Sequence, residues 1–371
     1  MDRPNDFARD MAEIAQCEAA RSPSRRDWLK GCAALGIMPS ALAMLGTGAA
    51  QAQAVKEVVL ANFGGDAVKA FTEAFVVPYE KKTGGKLVID GSGPSNGKVK
   101  AMVQARNVTW DIVDSGLAGT GELGPAGLLE EIDYTIVDKA KVVPDFAYKY
   151  GVVNYMFSTV MAWDTARVKA KPTLADFFDL KKYPGKRLLR KNSQAMVELA
   201  LMADGVPRDK LYPLDVPRAF KKIATIKNEI LYWNSGAESQ SLLRDGEVAM
   251  GWLWHTRANI LKRDTKNRID WTFEGGLLQP GLWVVPKGNP AGKQAMVAIA
   301  AMQEPEGQIS LLRSMGNGPA NPKAEPMVPA DLQQVDPGSA ANAAVQAKID
   351  AAWYEANGAK VNQDFLDLIS S

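Results

Sequence analysis

Val58-Val59-Leu60-Ala61-Asn62-Phe63-Gly64-Gly65-Asp66 passes from an apolar run to a glycine pair and then to a helix-opening residue. A short apolar run closed by Gly-Gly reads as a buried strand ending in a turn. Beyond it, Val68, Phe71, Ala74 and Phe75 recur at helical spacing, with Asp66 as the expected N-cap and Pro78 expected to bend the last turn. Thr83-Gly84-Gly85 closes that helix, and residues 86–90 read as the next strand. A loop over 91–97, a helix over 98–107 and a strand over 110–114 come next. Strand–helix alternation at this spacing predicts an α/β fold with a parallel, doubly wound sheet.

The same logic repeats downstream. Residues 159–163, 187–189, 230–233, 248–253 and 282–286 read as strands. Residues 172–180, 195–204, 217–228, 239–245, 293–303 and 306–315 read as helices. A proline-rich stretch over 319–337 reads as loop, and the Ala-rich segment 340–356 as an amphipathic helix. No internal repeat is visible.

Near the start stands Ser24-Arg25-Arg26-Asp27-Trp28-Leu29-Lys30, followed by an uncharged run from Gly31 to Ala50. The run ends in two overlapping small-x-small frames, Ala50-Gln51-Ala52 and Ala52-Gln53-Ala54. The pattern resembles a twin-arginine (Tat) export signal, with Trp28 where Phe is usual. Repeated Gly, Ser, Thr and Pro dilute the run below what a membrane-spanning helix needs. Residues 1–54 are therefore expected to be a cleaved Tat signal peptide, and the remainder to act in the periplasm.

Composition narrows the function. Both cysteines, Cys17 and Cys32, fall within the expected signal, so no disulfide or thiol chemistry is expected after cleavage. Residues 1–54 carry six basic and six acidic residues, which leaves the formal charge of +2 unchanged. With no basic run, nucleic acid is not an expected partner. His255 is the sole histidine, so a zinc site or a Ser-His triad would have to be built around it alone. The length remaining after residue 54 exceeds a usual single core and suggests two lobes.

The residues together resemble the bacterial extracellular solute-binding proteins, in the spermidine/putrescine-binding branch of ABC importers. Leu60-Ala61-Asn62-Phe63-Gly64-Gly65 is similar to that branch's first strand and turn, and Pro78-Tyr79-Glu80-Lys81-Lys82-Thr83-Gly84 to a helix end. Trp110-Asp111-Ile112-Val113, Gly127-Leu128-Leu129-Glu130-Glu131-Ile132-Asp133, Tyr183-Pro184-Gly185-Lys186 and Gly246-Glu247-Val248 through Trp254 continue the likeness in order. The resemblance implies a two-lobe periplasmic-binding-protein fold (type II-like): two doubly wound α/β lobes joined by two crossovers, with a ligand cleft between. Residues 55–160 and 283–371 would form lobe 1 and residues 161–282 lobe 2, with crossovers near 159–163 and 282–286. It implies a small-molecule ligand, an ABC permease in the inner membrane as partner, Tat machinery for the precursor, a monomer, no cofactor and no metal.

The ligand residues depart from that branch. A polyamine binder needs carboxylates, because an unpaired buried ammonium is costly. Where the branch carries two acids after a strand, this chain has Arg190-Lys191-Asn192-Ser193-Gln194. The branch's later Trp and Asp fall on Gln279 and Gly281. Phe63, Tyr155 and Trp254 keep the aromatic wall, and Arg190 and Arg257 add guanidinium groups suited to a carboxylate or phosphonate. The expected ligand-binding set is Phe63, Ser115, Tyr155, Arg190, Trp254, Arg257 and Gln279, and the expected ligand is anionic or zwitterionic.

Other readings stay open. A polyamine could be held by Asp66, Asp114 or Glu274. Arg257 could pair with Asp264 or Glu247 on the surface, and Trp252 or Trp254 could be core, the two sharing one strand face. A ferric-ion binder would need clustered tyrosines, whereas Tyr212 and Tyr232 are separate. An enzyme would show a nucleophile elbow, metal-spaced histidines or a phosphate loop, and the sequence has none, so no enzymatic activity is expected. Asp111 and Asp114 are a carboxylate pair of a kind easily found by chance.

Overall fold

The computed structural model describes residues 57–143 and 146–371. The twin-arginine stretch and its cleavage frames lie outside the described residues. Among those residues, no helix is long and apolar enough to cross a membrane.

One mixed sheet organises the molecule. Its strands are β1 (Glu57–Ala61), β2 (Lys86–Asp90), β3 (Ile112–Ser115), β4 (Val152–Asp164), β5 (Arg187–Arg190), β6 (Ile230–Trp233), β7 (Met250–Trp254) and β8 (Ile269–Val284), in the spatial order β2-β1-β3-β8-β4-β7-β5-β6. Two-residue strands β9 (Gly318–Pro319) and β10 (Ala347–Lys348) attach to β4 and β8. The two ends of the sheet are parallel, as the strand–helix alternation predicts: β1 with β2 and β3, and β5 with β6 and β7. Its middle is antiparallel, because β8 pairs with β3 and β4, and β4 with β7. Both stretches expected as crossovers belong to these two long strands.

β4 is buried along nearly its whole length. Covered on both sides, it reads as a continuous apolar run instead of an alternating one. Its side chains still alternate: Met161 and Trp163 enter one core cluster, Val160 and Ala162 another. Residues 152–156 belong to a third cluster, built on β1 and β3 with Phe71, Phe75 and Trp283. The β4–β8 register shifts twice, between Val153 and Tyr155 and between Thr159 and Met161. The second shift lies where β4 leaves the cluster built on β1 and β3 for the other two.

Six helices bear on the site: α1 (Asp66–Phe71), α2 (Leu117–Leu123), α3 (Met196–Ala203), α4 (Gly236–Arg244), α5 (His255–Asp264) and α6 (Ala351–Ser370). Asp66 does not cap α1, whose cap position is Gly65. The helical run widens into a π-helical turn over Thr72–Val76, before Pro78. Pro78 has no N–H to return to Ala74, and it sits in the first turn of the next segment, Val77–Thr83, where that costs nothing. Residues 172–180 supply only one 3₁₀ turn, Ala175–Phe178.

The expected helix over 340–356 is mostly absent. Ala340–Ala343 makes a single turn, and the long helix is α6. Alanine gives a helix little to bury, whereas Tyr354, Gly358, Val361 and Phe365 form a buried stripe at intervals of three and four. Tyr354 also donates to Glu198 Oε1 at 2.8 Å, where the Tyr212 hydroxyl donates at 2.7 Å, tying α6 to α3. Burial pushes the Glu198 carboxyl up, against those two hydrogen bonds.

Trp252 is core. It is fully buried and stacks on Phe177 with ring centroids 4.2 Å apart. Its carbonyl accepts a 3.0 Å hydrogen bond from Trp233 Nε1. Trp252→Ala is expected to lower stability by about 3–5 kcal/mol, measured by urea unfolding. A loss under about 1 kcal/mol would place Trp252 outside the core.

Candidate ligand cleft

A cavity of about 760 Å³ opens beside the carboxyl ends of β1, β3, β5 and β7, the edge where parallel α/β sheets place ligands. Of the expected residues, Phe63, Ser115, Tyr155, Arg190, Trp254 and Arg257 all line it. Gln279 does not. Its amide donates to Thr159 Oγ1 at 2.8 Å, and its carbonyl accepts from Gln194 Nε2 at 2.6 Å. It sits behind the wall and holds Gln194, which does face the cavity.

Arg190 ends β5 and lies against two tryptophans that touch each other. Its guanidinium carbon is 5.0 Å from the Trp254 ring centre and 5.6 Å from that of Trp233. The indoles meet edge to face at 4.9 Å. Trp233 is the residue that sequence reasoning missed, because a tryptophan closing an apolar strand looks like core. Only the hydrogen bond to the Trp252 carbonyl fixes its ring as a platform. Loss of water draws the Arg190 pKa down to about 10, and it stays cationic at neutral pH. Among the described residues no carboxylate comes within ion-pair distance of it.

Arg257 is differently placed. It is 1% exposed and does not reach Asp264 or Glu247. Its Nη2 donates to the Gly64 carbonyl at 3.0 Å, and Nη1 faces Gln240 Oε1 at 3.4 Å and Asp66 Oδ2 at 3.8 Å. Asp66 also accepts from Gln240 Nε2 at 3.2 Å. Gly64 has a φ of 70°, and a Cβ there would collide with the Gly91 carbonyl. The glycine turn thus presents a backbone oxygen to Arg257. The two arginines do not act as one clamp: Arg257 ties α5 to the β1 turn and to α4, and Arg190 has no such partner.

The acids considered for a polyamine divide likewise. Glu274 is exposed, pairs with Lys171 and lies away from the cavity. Asp66 is committed to Arg257 and Gln240. Asp114 lines the cavity, 3% exposed, and accepts a 2.6 Å hydrogen bond from Tyr155. Burial pushes its carboxyl up to about 7, opposed by the Tyr155 hydroxyl and Arg257. Asp111 instead accepts backbone N–H groups of Val59 and Ala291 at 2.8 and 2.7 Å, so the two acids are not a working pair.

His255 is structural. Its Nδ1 accepts from the Ser158 N–H at 3.0 Å, and Nε2 meets the Gly316 carbonyl at 2.8 Å. Burial lowers its pKa to about 4. Tyr212 and Tyr232 do not line the cavity. Among the described residues no cluster of His, Cys, Asp and Glu could hold a metal.

The family model for bacterial extracellular solute-binding proteins matches residues 74–347. A gamma-aminobutyric acid-binding protein of Pseudomonas aeruginosa is 34% identical over 329 residues, covering 85% of this chain and 92% of that protein. The solved structure of AgtB from A. tumefaciens in complex with agropinic acid is 32% identical with a TM-score of 0.80, covering 85% of this chain and 99% of that one. The spermidine/putrescine substrate-binding protein PotD of Streptococcus pneumoniae shares the fold at 16% identity, with a TM-score of 0.61 over 85% of this chain and 99% of that one.

Asp114 generates a pH signature. Its folded pKa lies above the ordinary value of 3.8, so between about 4 and 7 the native state holds a proton that the unfolded chain has lost. The Asp114 contribution is therefore present at low pH and disappears as pH rises through 7. Asp114→Asn removes this dependence. The stability of the variant relative to the parent is expected to climb by up to about 1.4 kcal/mol per pH unit across that window, read from urea unfolding at pH 4, 5.5, 7 and 8.

Proposed function

The chain belongs to the bacterial extracellular solute-binding protein family, and from that premise we propose that it captures a small carboxylate-bearing solute in this cavity, on Arg190, and delivers it to an ABC permease. As a member of that family it binds and does not convert. The observation that carries the ligand assignment is Arg190: a guanidinium lying against Trp233 and Trp254 with no acid among the described residues within ion-pair distance. A partly buried cation with no protein counter-charge favours an anion, and a guanidinium offers a carboxylate two parallel donors. The expected replacement of the polyamine branch's acids agrees with this, and so do the names of two relatives, one for gamma-aminobutyric acid and one in complex with agropinic acid.

Phe63, Phe157 and Trp254 wall the cavity, with Phe63 and Phe157 edge-on to Trp254 at 5.0 and 6.3 Å. Such faces pack the methylenes of a short chain. Ser115 and Asn234 add polar contacts on the same lining. Residues 55–160 with 283–371, and residues 161–282, are the proposed lobes, closing by hinge motion about β4 and β8. The proposed monomer reaches the periplasm through the Tat pathway and loses its leader near residues 52–54.

Thermal unfolding against two ligand sets tests the ligand. Small carboxylates and amino acids are expected to stabilise the protein, by about 2.7 kcal/mol at a hundred times the dissociation constant. Arg190→Ala should remove that gain, and Arg190→Lys restore part of it. Stabilisation by putrescine and spermidine alone would overturn the assignment. Export is checked separately: Arg25→Lys with Arg26→Lys should leave the precursor in the cytoplasm, and normal export of that variant would refute the Tat route.

A further inference from the structure

Asp114 is a buried acid whose one protein partner at the side chain is a hydroxyl. Tyr155 donates to its Oδ1 at 2.6 Å, and among the described residues no cation lies within ion-pair distance. Burying a carboxyl beside a cavity without a counter-charge is unfavourable unless it keeps its proton or a cation arrives. The position is held from several sides. Asp114 is the penultimate residue of β3, with Trp283 of β8 as its register partner. Gly281 on β8 leaves room for the Tyr155 ring, where a Cβ would collide with it. Phe71 and Trp283 meet the same ring edge to face, at 6.0 and 6.2 Å. The phenol is thereby fixed in the one orientation that reaches Asp114.

We propose that Asp114 and Tyr155 form a receptor for an ammonium group in the cavity that Arg190 also lines, so that the ligand is a short-chain amino carboxylate whose binding expels a proton. The inference rests on the carboxylate reading of Arg190 and assigns the ligand's other end. Phe63, Phe71 and Phe157 line the same cavity and supply its apolar wall. In the balanced step the Asp114 O–H bond breaks, the proton passes to solvent, and the carboxylate left behind pairs with the ligand ammonium. Tyr155 keeps donating throughout.

The groups that act on Asp114 are few. Tyr155 on β4 and Arg257 on α5 both favour its charged form, and burial opposes them and wins, holding the empty site near pH 7. Arg190 on β5 acts on Tyr155, and Asp66 on α1 offsets Arg257. An arriving ammonium reverses the balance. Below pH 7 binding must therefore release a proton, and affinity should rise with pH, by at most about tenfold per unit, until the empty site is itself ionised.

Titration calorimetry on the full chain tests this. The probes are ω-amino acids of three to six carbons, each matched with the carboxylic acid lacking the amine, plus putrescine. Each is measured in two buffers of different ionisation enthalpy at pH 6 and pH 8.5. At least one amino acid is expected to bind at least tenfold more tightly than its acid, releasing close to one proton at pH 6 and almost none at pH 8.5. Asp114→Asn should abolish the release and cut the amino acid's advantage at least tenfold. Tyr155→Phe, which keeps the acid and loses the donor, should move the onset of release to higher pH. No binding by any amino acid, no proton release at pH 6, or an undiminished advantage in Asp114→Asn would each overturn the inference. Its failure is separable from that of the carboxylate reading: in the first case Arg190→Ala still abolishes binding, and in the second putrescine binds and Arg190→Ala is neutral.

Discussion

The antiparallel pairing of β4 with β8 is the constraint on which the rest of this molecule depends. These are the two longest strands, of 13 and 16 residues, and each threads more than one core cluster. Parallel strands cannot be joined by tight turns, so each end of the sheet needs covering helices and returning crossovers. The antiparallel centre lets one sheet serve both ends without a break. It also leaves the carboxyl ends of the parallel strands open on one cavity, which is why Ser115, Arg190 and Trp254 converge there from β3, β5 and β7. Residues distant in sequence meet because a shared hydrogen-bond ladder sets their heights.

The cavity's chemistry results from what the surrounding protein withholds. Arg257 and Asp66 satisfy one another through Gln240 and the Gly64 carbonyl, and so present little free charge. Arg190 and Asp114 are satisfied by neutral groups only, indole faces in one case and a phenol in the other. Each is thus held in a medium where a complementary charge is worth more than in water.

Much of this was legible in the chain. The Gly64-Gly65 turn, the strand–helix alternation and the arginine standing where a related branch has acids are local signals; the first two match the turn and the parallel ends of the sheet, and the third lies on the cavity lining. What was not legible depends on contacts made at a distance. Tyr155 lies in the first half of β4, where an apolar run without alternation gives no strand signal. Trp233 became a platform only through the Trp252 carbonyl. Trp252 and Trp254, expected on one face, join different clusters, since Trp254 is where the chain turns from strand into α5. Gln279 was expected in the site by likeness to a branch that carries a Trp nearby, but Thr159 and Gln194 satisfy its amide first. Asp66 looked like a cap by residue type, whereas Gln240 and Arg257 offered its carboxylate better partners. The Ala-rich segment promised a helix by propensity alone, and the true helix began where large side chains had something to bury.

That helix, α6, has a consequence for how the protein is made. Tyr354 fills the cluster around β1 and β3, and Val361 and Phe365 fill the one around Trp252. The interior around β1 and β3 cannot be completed before residue 354 is made, nor the one around Trp252 before residue 365, so both close late in synthesis.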